Sequence, residues 1–397
     1  MPPLSTMSFP STRTRIDGFD LARALAIIGM MTAHLGPDLP WVNALSNGFP
    51  SALFAVLAGV SLSLMNSKAD ATGGAALAQA RHRAMIRGVV LVGIGMILST
   101  VQVAIAVVLG SIGAIYLVLG PCTRWRTCWL MTAAVALPVL GIALSFYLTI
   151  GETVIESPLL AGAYPILNWL AYGLFGMVLY RAFSAGARAA VPVTVIGLLV
   201  GGVGVWQRHL TGELGHGENP LDVVYSWGMS AGVIGLCLLV TRPQILTKAL
   251  YPLRSLGIMA LTVYVAHVLT AAIPLGGYLD FQQSMKDDSA VYTDSPADLY
   301  AGVDFEEYRN RVARTHDWEE YMKVESTMLF EPGISDPGVQ KLPSGNELTA
   351  WWLGSIGFSL LACSLWRGWR PRGPLEEGLR RIAYRGSTYK EVSPPSA

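Results

Sequence analysis

The sequence predicts an all-α polytopic membrane protein with about ten transmembrane helices, both termini in the cytoplasm and one extracytoplasmic loop domain. Three observations support this fold class. Of the 397 residues, 52% are hydrophobic and only 14% are charged, a balance typical of membrane proteins. Apolar windows recur at the length that crosses a bilayer, about 20 residues. Basic residues concentrate in alternate loops.

The predicted spans follow one another along nearly the whole chain. The third and fourth are separated only by a short polar break at Ser99 and Thr100. Small residues at close spacing, as in "GLLVGGVGV", favour tight helix packing in lipid. The approximate limits of the spans are 19–35, 49–66, 86–101, 103–120, 128–150, 163–181, 189–206, 221–240, 256–274 and 348–366.

The distribution of basic residues predicts the orientation of these spans. With both termini inside, the cytoplasmic segments contain twenty Lys or Arg residues, and the opposite side has seven. Such a bias in short loops sets the orientation of membrane proteins. An odd number of spans would remove the bias. We therefore predict a multi-pass membrane protein. The excess of arginine over lysine and the abundance of Ala and Gly favour a bacterial source, and hence the plasma membrane.

The chain divides into three predicted regions. Residues 1–274 form a membrane core of nine helices, 275–346 an acidic extracytoplasmic loop or lid, and 347–397 the last span with a basic cytoplasmic tail. The loop contains six Lys or Arg against fourteen Asp or Glu, a net charge of −8. A solvated cap and a lid over an outer site remain alternatives. The acidity argues against nucleic-acid binding.

The first span, "DLARALAIIGMMTAH", contains three ionisable side chains. Asp20 and Arg23 are spaced to pair at the cytoplasmic end, which lowers the cost of burying them. His34 lies eleven residues after Arg23, about 16 Å along the helix and on nearly the same face. Charged groups inside a span are usually functional, although interfacial anchoring and simple hydrogen bonding remain open for these three.

Several segments in order resemble the membrane acyltransferases of the acyltransferase-3 type and the heparan-α-glucosaminide N-acetyltransferase-like bacterial proteins. The features similar to the first group are Arg23 followed by His34, "RIDGFDLARALAIIGM", "LFAVLAGVSLSL" with Ala58 where serine is common, and the basic loop "RHRAMIRG". The second is resembled by "YPILNWLAYGLFGMVLYR", "MALTVYVAH" and "RGPLEEGLRRIAY".

This resemblance implies transfer of an acetyl or short acyl group from cytoplasmic acetyl-CoA, the acyl donor, to a hydroxyl of a glycolipid or glycan in the cell envelope. A narrower similarity is to the corynebacterial and mycobacterial enzymes that acetylate trehalose monomycolate. It implies a lipid or glycolipid acceptor and an envelope-lipid exporter as partner.

Acyl transfer from a thioester to a hydroxyl needs a base near neutral pH, which neutral histidine supplies. We expect His34 to be this base and Asp38 to orient its imidazole. The CoA phosphates require basic groups at the inner mouth of the site. Arg81, Arg83 and Arg87 suit that role, with topology signalling as the alternative, and Arg23 would act deeper in the membrane.

Four further residues are candidates for the site. His267 is the second intramembrane histidine, as an acid/base or acceptor ligand, or as a helix-to-helix hydrogen-bonding group. Asn168, Trp169 and Tyr172 lie within one helical turn and would grip a sugar, or else serve ordinary packing. Loop histidines are too widely spaced for a metal site, so none is predicted.

A second function class is compatible with the same pattern. A secondary transporter or flippase for a lipid or small polar solute also has buried charges and many spans. Transporters of this kind usually show internal repeats, and none is evident here. The sequence identifies neither the acceptor nor the oligomeric state.

The predicted topology is testable by labelling. In a variant without the four native cysteines, a cysteine at Ser289 should react with an impermeant maleimide added to intact cells. A cysteine at Ser67 should react only after the membrane is opened, because the basic-residue bias places it inside. Equal labelling of both positions in intact cells would contradict the orientation.

Overall fold

A computed structural model describes residues 16–101, 105–149, 164–212, 220–291 and 345–385. Within these ranges the chain is helical and contains no β-strand, which confirms the all-α polytopic fold class. The helices are α1 (Asp17–Leu35), α2 (Pro40–Ser46), α3 (Phe49–Thr72), α4 (Gly74–Ser99), α5 (Leu109–Val118), α6 (Thr127–Thr149), α7 (Ile166–Ser184), α8 (Ala187–Thr211), α9 (Pro220–Val240), α10 (Gln244–Ala249), α11 (Tyr251–Ile258), α12 (Ala260–Val291), α13 (Gly345–Trp369) and α14 (Pro374–Arg385).

Each of the ten predicted spans coincides with a helix, but not every helix qualifies as a span. Seven are long and apolar enough within the described residues: α3 with its α2 extension, α4, α6, α7, α8, α9 and α13. The pair α11 and α12, bent by 81° at Met259, makes an eighth if it crosses as one unit. Helix α5 is shorter, and α1 carries Asp17, Asp20 and Arg23. The number ten and the sidedness of the termini stay predictions.

The polar helix α1 lies inside the bundle. It contacts α3, α9, α11 and α13, and Asp20 is buried together with most of the helix's apolar side chains. Close approach of α11 depends on Gly257, because a Cβ there would lie 1.7 Å from the Asp20 carbonyl oxygen. Neighbouring helices thus shield α1 from hydrocarbon, where its charges would be costly.

Two ion pairs join segments that are distant in sequence. Arg254 of α11 pairs with Asp17 at the start of α1. Arg208 of α8, fully buried, pairs with Asp222 of α9 at 3.0 Å and also donates to the carbonyl oxygen of Asn47. Each arginine has its charge neutralised by a carboxylate and also donates to a backbone carbonyl oxygen, which lowers the cost of burial.

The chain forms two compact units. One comprises residues 1–101, 105–272 and 344–397, and the other residues 102–104 and 273–343. The site described below lies in the first unit. The predicted acidic loop lies outside the described residues apart from the end of α12 and the start of α13, so the three-region division of the chain stays a prediction.

Helix packing predicts a strong contrast between two glycines. A Cβ at Gly59 of α3 would lie 1.9 Å from the carbonyl oxygen of Gly173 in α7, whereas a Cβ at Gly202 meets nothing within 4 Å. Gly59→Ala should therefore lower the melting temperature in detergent, since overpacking costs about 1–3 kcal/mol. Gly202→Ala should leave it unchanged or raise it, since alanine favours helix by roughly 1 kcal/mol. Equal melting temperatures would contradict the close α3–α7 contact.

Candidate active site

A pair of histidines in direct contact forms the centre of the candidate site. His34 Nδ1 of α1 lies 3.1 Å from His267 Nε2 of α12, and the two rings are 7° from parallel. One nitrogen must donate the hydrogen and the other accept it, so the two tautomers depend on each other. His267 is 3% exposed, and its Nδ1 has no hydrogen-bond partner among the described residues. The two histidines are 233 residues apart, so sequence spacing does not reveal their contact.

Asp38, which follows His34 by four residues, is exposed. Its carboxylate accepts a hydrogen bond of 2.5 Å from the side-chain amide of Asn43, in the middle of α2. Asp38 thus forms a hydrogen bond with Asn43, and His34 contacts His267. The predicted role of Asp38 in orienting the imidazole stays a prediction.

The predicted pairing of Asp20 with Arg23 is confirmed. Arg23 donates to Asp20 Oδ1 at 2.5 Å and to Ser61 Oγ of α3 at 3.3 Å. Asp20 is buried, while a quarter of the Arg23 side chain is exposed. The guanidinium is therefore held in place by α1 and α3 and still faces an open space.

That open space is a basic cavity of about 360 Å³. Its acidic side chains are already engaged, because Asp20 binds Arg23 and Glu376 binds the start of α12. The surplus of positive charge makes it an anion site by composition. Its arginines are Arg23, Arg83, Arg87, Arg372 and Arg380.

Only two of the three arginines predicted from the basic loop line this cavity. Arg83 lies over the ring of Tyr384 at 4.3 Å, and Arg87 lies 5.2 Å from the ring centre of Tyr116. Arg81 instead directs its guanidinium to the carbonyl oxygen of Pro121 at 3.4 Å. The spacing explains this split, because residues four apart on a helix share a face and residues two apart do not.

Helix α14 supplies the part of the cavity that the sequence analysis missed. Glu376 receives hydrogen bonds from the backbone N–H groups of Leu261 and Thr262, at 2.8 and 3.1 Å, and so caps α12 just after the bend. A carboxylate is favourable at this end of a helix. The cap fixes α14 against the core and brings Arg372 and Arg380 to the cavity. The amphipathic stretch "PLEEGLRRIAYR" was the available signal.

The charges of α14 are organised around one carboxylate. Glu377 accepts hydrogen bonds from Arg380 at 2.8 Å and from Arg381 at 3.2 Å. The hydrogen bond from Arg380, together with that from Arg381 and the positive charges nearby, lowers the pKa of Glu377 to about 2. Glu377 is therefore ionised at neutral pH and positions both guanidinium groups.

A narrow apolar cavity of about 100 Å³ continues inward from the basic cavity. The two share Arg23, Ser61 and Arg87 as lining residues. The narrow cavity reaches Met30 of α1 and Tyr264 of α12, which precede His34 and His267 by about one helical turn. It thus leads from the arginines towards the histidine pair.

A third space lies on the other side of His267. This α12–α13 groove, about 580 Å³, is bordered by Met259 at the bend, by Thr262 to Thr270 of α12 and by Ala350 to Trp366 of α13. Met31 lines the groove, while its neighbour Met30 lines the narrow cavity. The wall between the two spaces at this level therefore includes a single turn of α1.

Asn168, Trp169 and Tyr172 lie in the packed interior of α7. Their exposed fractions are 7%, 0% and 1%, and none of them lines the three spaces around the histidine pair. Trp169 and Tyr172 contact each other edge to face at 5.2 Å. This burial favours the packing alternative, and the sugar-binding role stays a prediction.

Comparison with known families gives one match, over the first half of the chain. Residues 15–199 match the family described as heparan-alpha-glucosaminide N-acetyltransferase, catalytic. This stretch is similar to that family. The match includes Arg23, His34, Arg83 and Arg87, and it ends before His267. Comparisons with curated proteins and with solved structures gave no match. The chain is accordingly a multi-pass membrane protein in which residues 15–199 are similar to an acetyltransferase family.

Proposed function

We propose that this protein moves an acetyl or short acyl group from cytoplasmic acetyl-CoA to a hydroxyl of a cell-envelope glycolipid or glycan. One observation carries the proposal: the His34–His267 pair lies one helical turn beyond a narrow cavity that begins among five arginines. The family match supports the acetyltransferase class. The geometry supports an anionic donor, and its cytoplasmic location rests on the basic-residue bias of the sequence.

The basic cavity and the narrow cavity together fit the shape of CoA. Its phosphates require several guanidinium groups, which bind phosphate through paired hydrogen bonds, and Arg83, Arg87 and Arg380 face one cavity. Its long, thin pantetheine arm requires a narrow passage, and the cavity past Arg23 is narrow. From Arg23 to His34 the distance along α1 is about 16 Å, so the phosphates and the acetyl group would lie at opposite ends of this path.

His34 acts as the general base in the proposed reaction. Its Nδ1–H donates to His267 Nε2, and in the reaction His34 Nε2 accepts the proton of the acceptor hydroxyl. The hydroxyl oxygen attacks the thioester carbonyl, the C–S bond breaks, and the proton passes from the imidazolium to the leaving sulfur. In this proposal His267 holds the tautomer, which is the role first assigned to Asp38.

An amine and a hydroxyl would react in the same way, so the acceptor atom needs its own argument. The family is described by N-acetylation, whereas the resemblance to trehalose monomycolate acetyltransferases favours a hydroxyl. A trehalose lipid is our candidate acceptor, with an envelope-lipid exporter as partner. Mild alkali distinguishes the two products, because it removes O-acetyl groups and leaves N-acetyl groups.

The donor site is tested with neighbouring arginines. Arg380→Ala should weaken acetyl-CoA binding about tenfold, the loss expected for one charge-assisted contact of about 1.4 kcal/mol. Arg381→Ala is the matched control, because Arg381 also binds Glu377 but does not line the basic cavity. Binding is measured by calorimetry on detergent-solubilised protein.

The same experiment has a second pair and a salt dependence. Arg87→Ala should weaken binding, and Arg81→Ala should not, since only Arg87 lines the cavity. The difference in acetyl-CoA affinity between Arg380→Ala and the unmodified protein should become smaller at higher salt, because salt screens the phosphate contacts. Equal affinities for Arg380→Ala and Arg381→Ala would remove α14 from the donor site.

The histidine pair is tested by transfer of labelled acetyl groups. His34→Ala should lower the transfer rate about a hundredfold or more, the usual loss for a positioned base, while acetyl-CoA binding is retained. His267→Ala should also be slow, and His267→Gln should recover part of the rate because its amide oxygen replaces an Nε2 acceptor. The exposed His82, replaced by alanine, is the control.

The readout is lipid-linked radioactivity in membranes with matched protein amounts, before and after mild alkali. A near-normal rate for His34→Ala would overturn the proposed base. Loss of rate in His267→Gln equal to that in His267→Ala would remove the tautomer-holding role. Alkali-stable product would show that nitrogen is the acceptor.

A further inference from the structure

The α12–α13 groove has no role in the reaction as described so far. We propose that it holds the acyl chain of the acceptor, a membrane lipid with a hydroxyl-bearing polar head. The head would then contact the histidine pair at His267. This inference rests on the proposed function for its acceptor, but it assigns a separate binding site with its own physical requirements.

The groove is kept open by small side chains and by tethers near both ends. At one end Trp352 Nε1 of α13 donates to Thr32 Oγ1 of α1 at 3.1 Å. At the other, Tyr251 of α11 donates to the carbonyl oxygen of Ser364 at 3.3 Å. Between them, a Cβ added at Gly354 would meet nothing within 4 Å. Helix α13 is therefore held at its ends and leaves space in the middle.

The dimensions of the groove suit a lipid chain. From Ala350 to Trp366 it follows α13 for about 24 Å at the rise of an α-helix. One leaflet of hydrocarbon is about 15 Å thick, half of the bilayer core. An acyl chain that begins in one leaflet can thus lie along the groove for its whole depth.

The lining excludes water and polar ligands from most of this length. Apart from His267, the polar side chains at the groove are hydroxyls of Thr262, Thr270, Ser355 and Ser359 and the indoles of Trp351 and Trp366. Thr270 already donates to the carbonyl oxygen of Ala266 in its own helix. An empty apolar space forfeits dispersion contacts, and α13 qualifies as a membrane span, so hydrocarbon chains are the available filling.

His267 distinguishes an acceptor site from a surface that merely contacts bulk lipid. Its ring is 97% buried, it lines the groove, and Nδ1 has no hydrogen-bond partner among the described residues. An unsatisfied ring nitrogen beside an apolar channel costs free energy unless a ligand supplies the bond. A lipid with a hydroxyl-bearing head supplies both an acyl chain for the groove and a polar group for this nitrogen. A plain hydrocarbon chain fills the groove but offers no hydrogen bond.

The experiment uses two glycines of α13. Gly354 lines the groove and Gly357 does not, and a Cβ at either position meets nothing within 4 Å. Gly354→Phe should fill the groove, and Gly357→Phe adds the same side chain one turn along the helix without entering it. The full chain is reconstituted in vesicles with the probe, a trehalose monoester of hexadecanoic acid that carries a diazirine in its chain.

In the unmodified protein, photolysis should label peptides from residues 350–366 and 259–270. Gly354→Phe should lose this labelling and raise the KM for the long-chain acceptor, without raising that for free trehalose. Gly357→Phe should behave as the unmodified protein. Because the labelling map is read in the unmodified protein, the inference is tested even if Gly354→Phe fails to fold.

Two outcomes would overturn the inference: labelling spread evenly over the outer faces of α6 and α8, or equal groove labelling in Gly354→Phe and Gly357→Phe. Failure of the proposed function looks different. In that case neither trehalose nor its long-chain ester would accept acetyl groups from acetyl-CoA, while the labelling of the groove would persist.

Discussion

The architecture follows from the need to keep the first helix out of hydrocarbon. Helix α1 carries two carboxylates, a guanidinium and an imidazole, and a bilayer core offers none of them a hydrogen bond. The solution is to surround the helix with others, through a glycine contact at Gly257 and an ion pair between Arg254 and Asp17. This polar helix therefore lies inside the bundle, and the basic cavity opens beside Arg23 near its start.

The bend between α11 and α12 is the second feature on which the site depends. A helix that begins inside a protein leaves backbone N–H groups without partners, and at this bend Glu376 of the distant α14 binds two of them. The same carboxylate belongs to the wall of the basic cavity. One side chain thus sets the direction of α12, and with it the position of His267, while it also fixes the C-terminal helix whose arginines face the cavity.

Much of this fold was predictable, because hydrophobic length and local spacing are properties of the sequence itself. Every predicted span coincides with a helix, and the pairing of Asp20 with Arg23 follows from their separation of three residues. The site was only partly predictable. The contact of His34 with His267 and the docking of α14 depend on tertiary packing over hundreds of residues, which periodicity does not record. The different directions of Arg81 and Arg83 were derivable from helical geometry, since two residues turn a helix by about 200°.

The single turn of α1 at Met30 and Met31 has a consequence for kinetics. Its two sides border separate spaces, so a thioester and a lipid that use those spaces never compete for the same volume. Either can arrive first, and each remains exchangeable while the other is bound. For such an enzyme, double-reciprocal plots of the initial rate intersect and do not run parallel. A dead-end analogue of one substrate raises the apparent KM of the other only through coupling across this turn of helix.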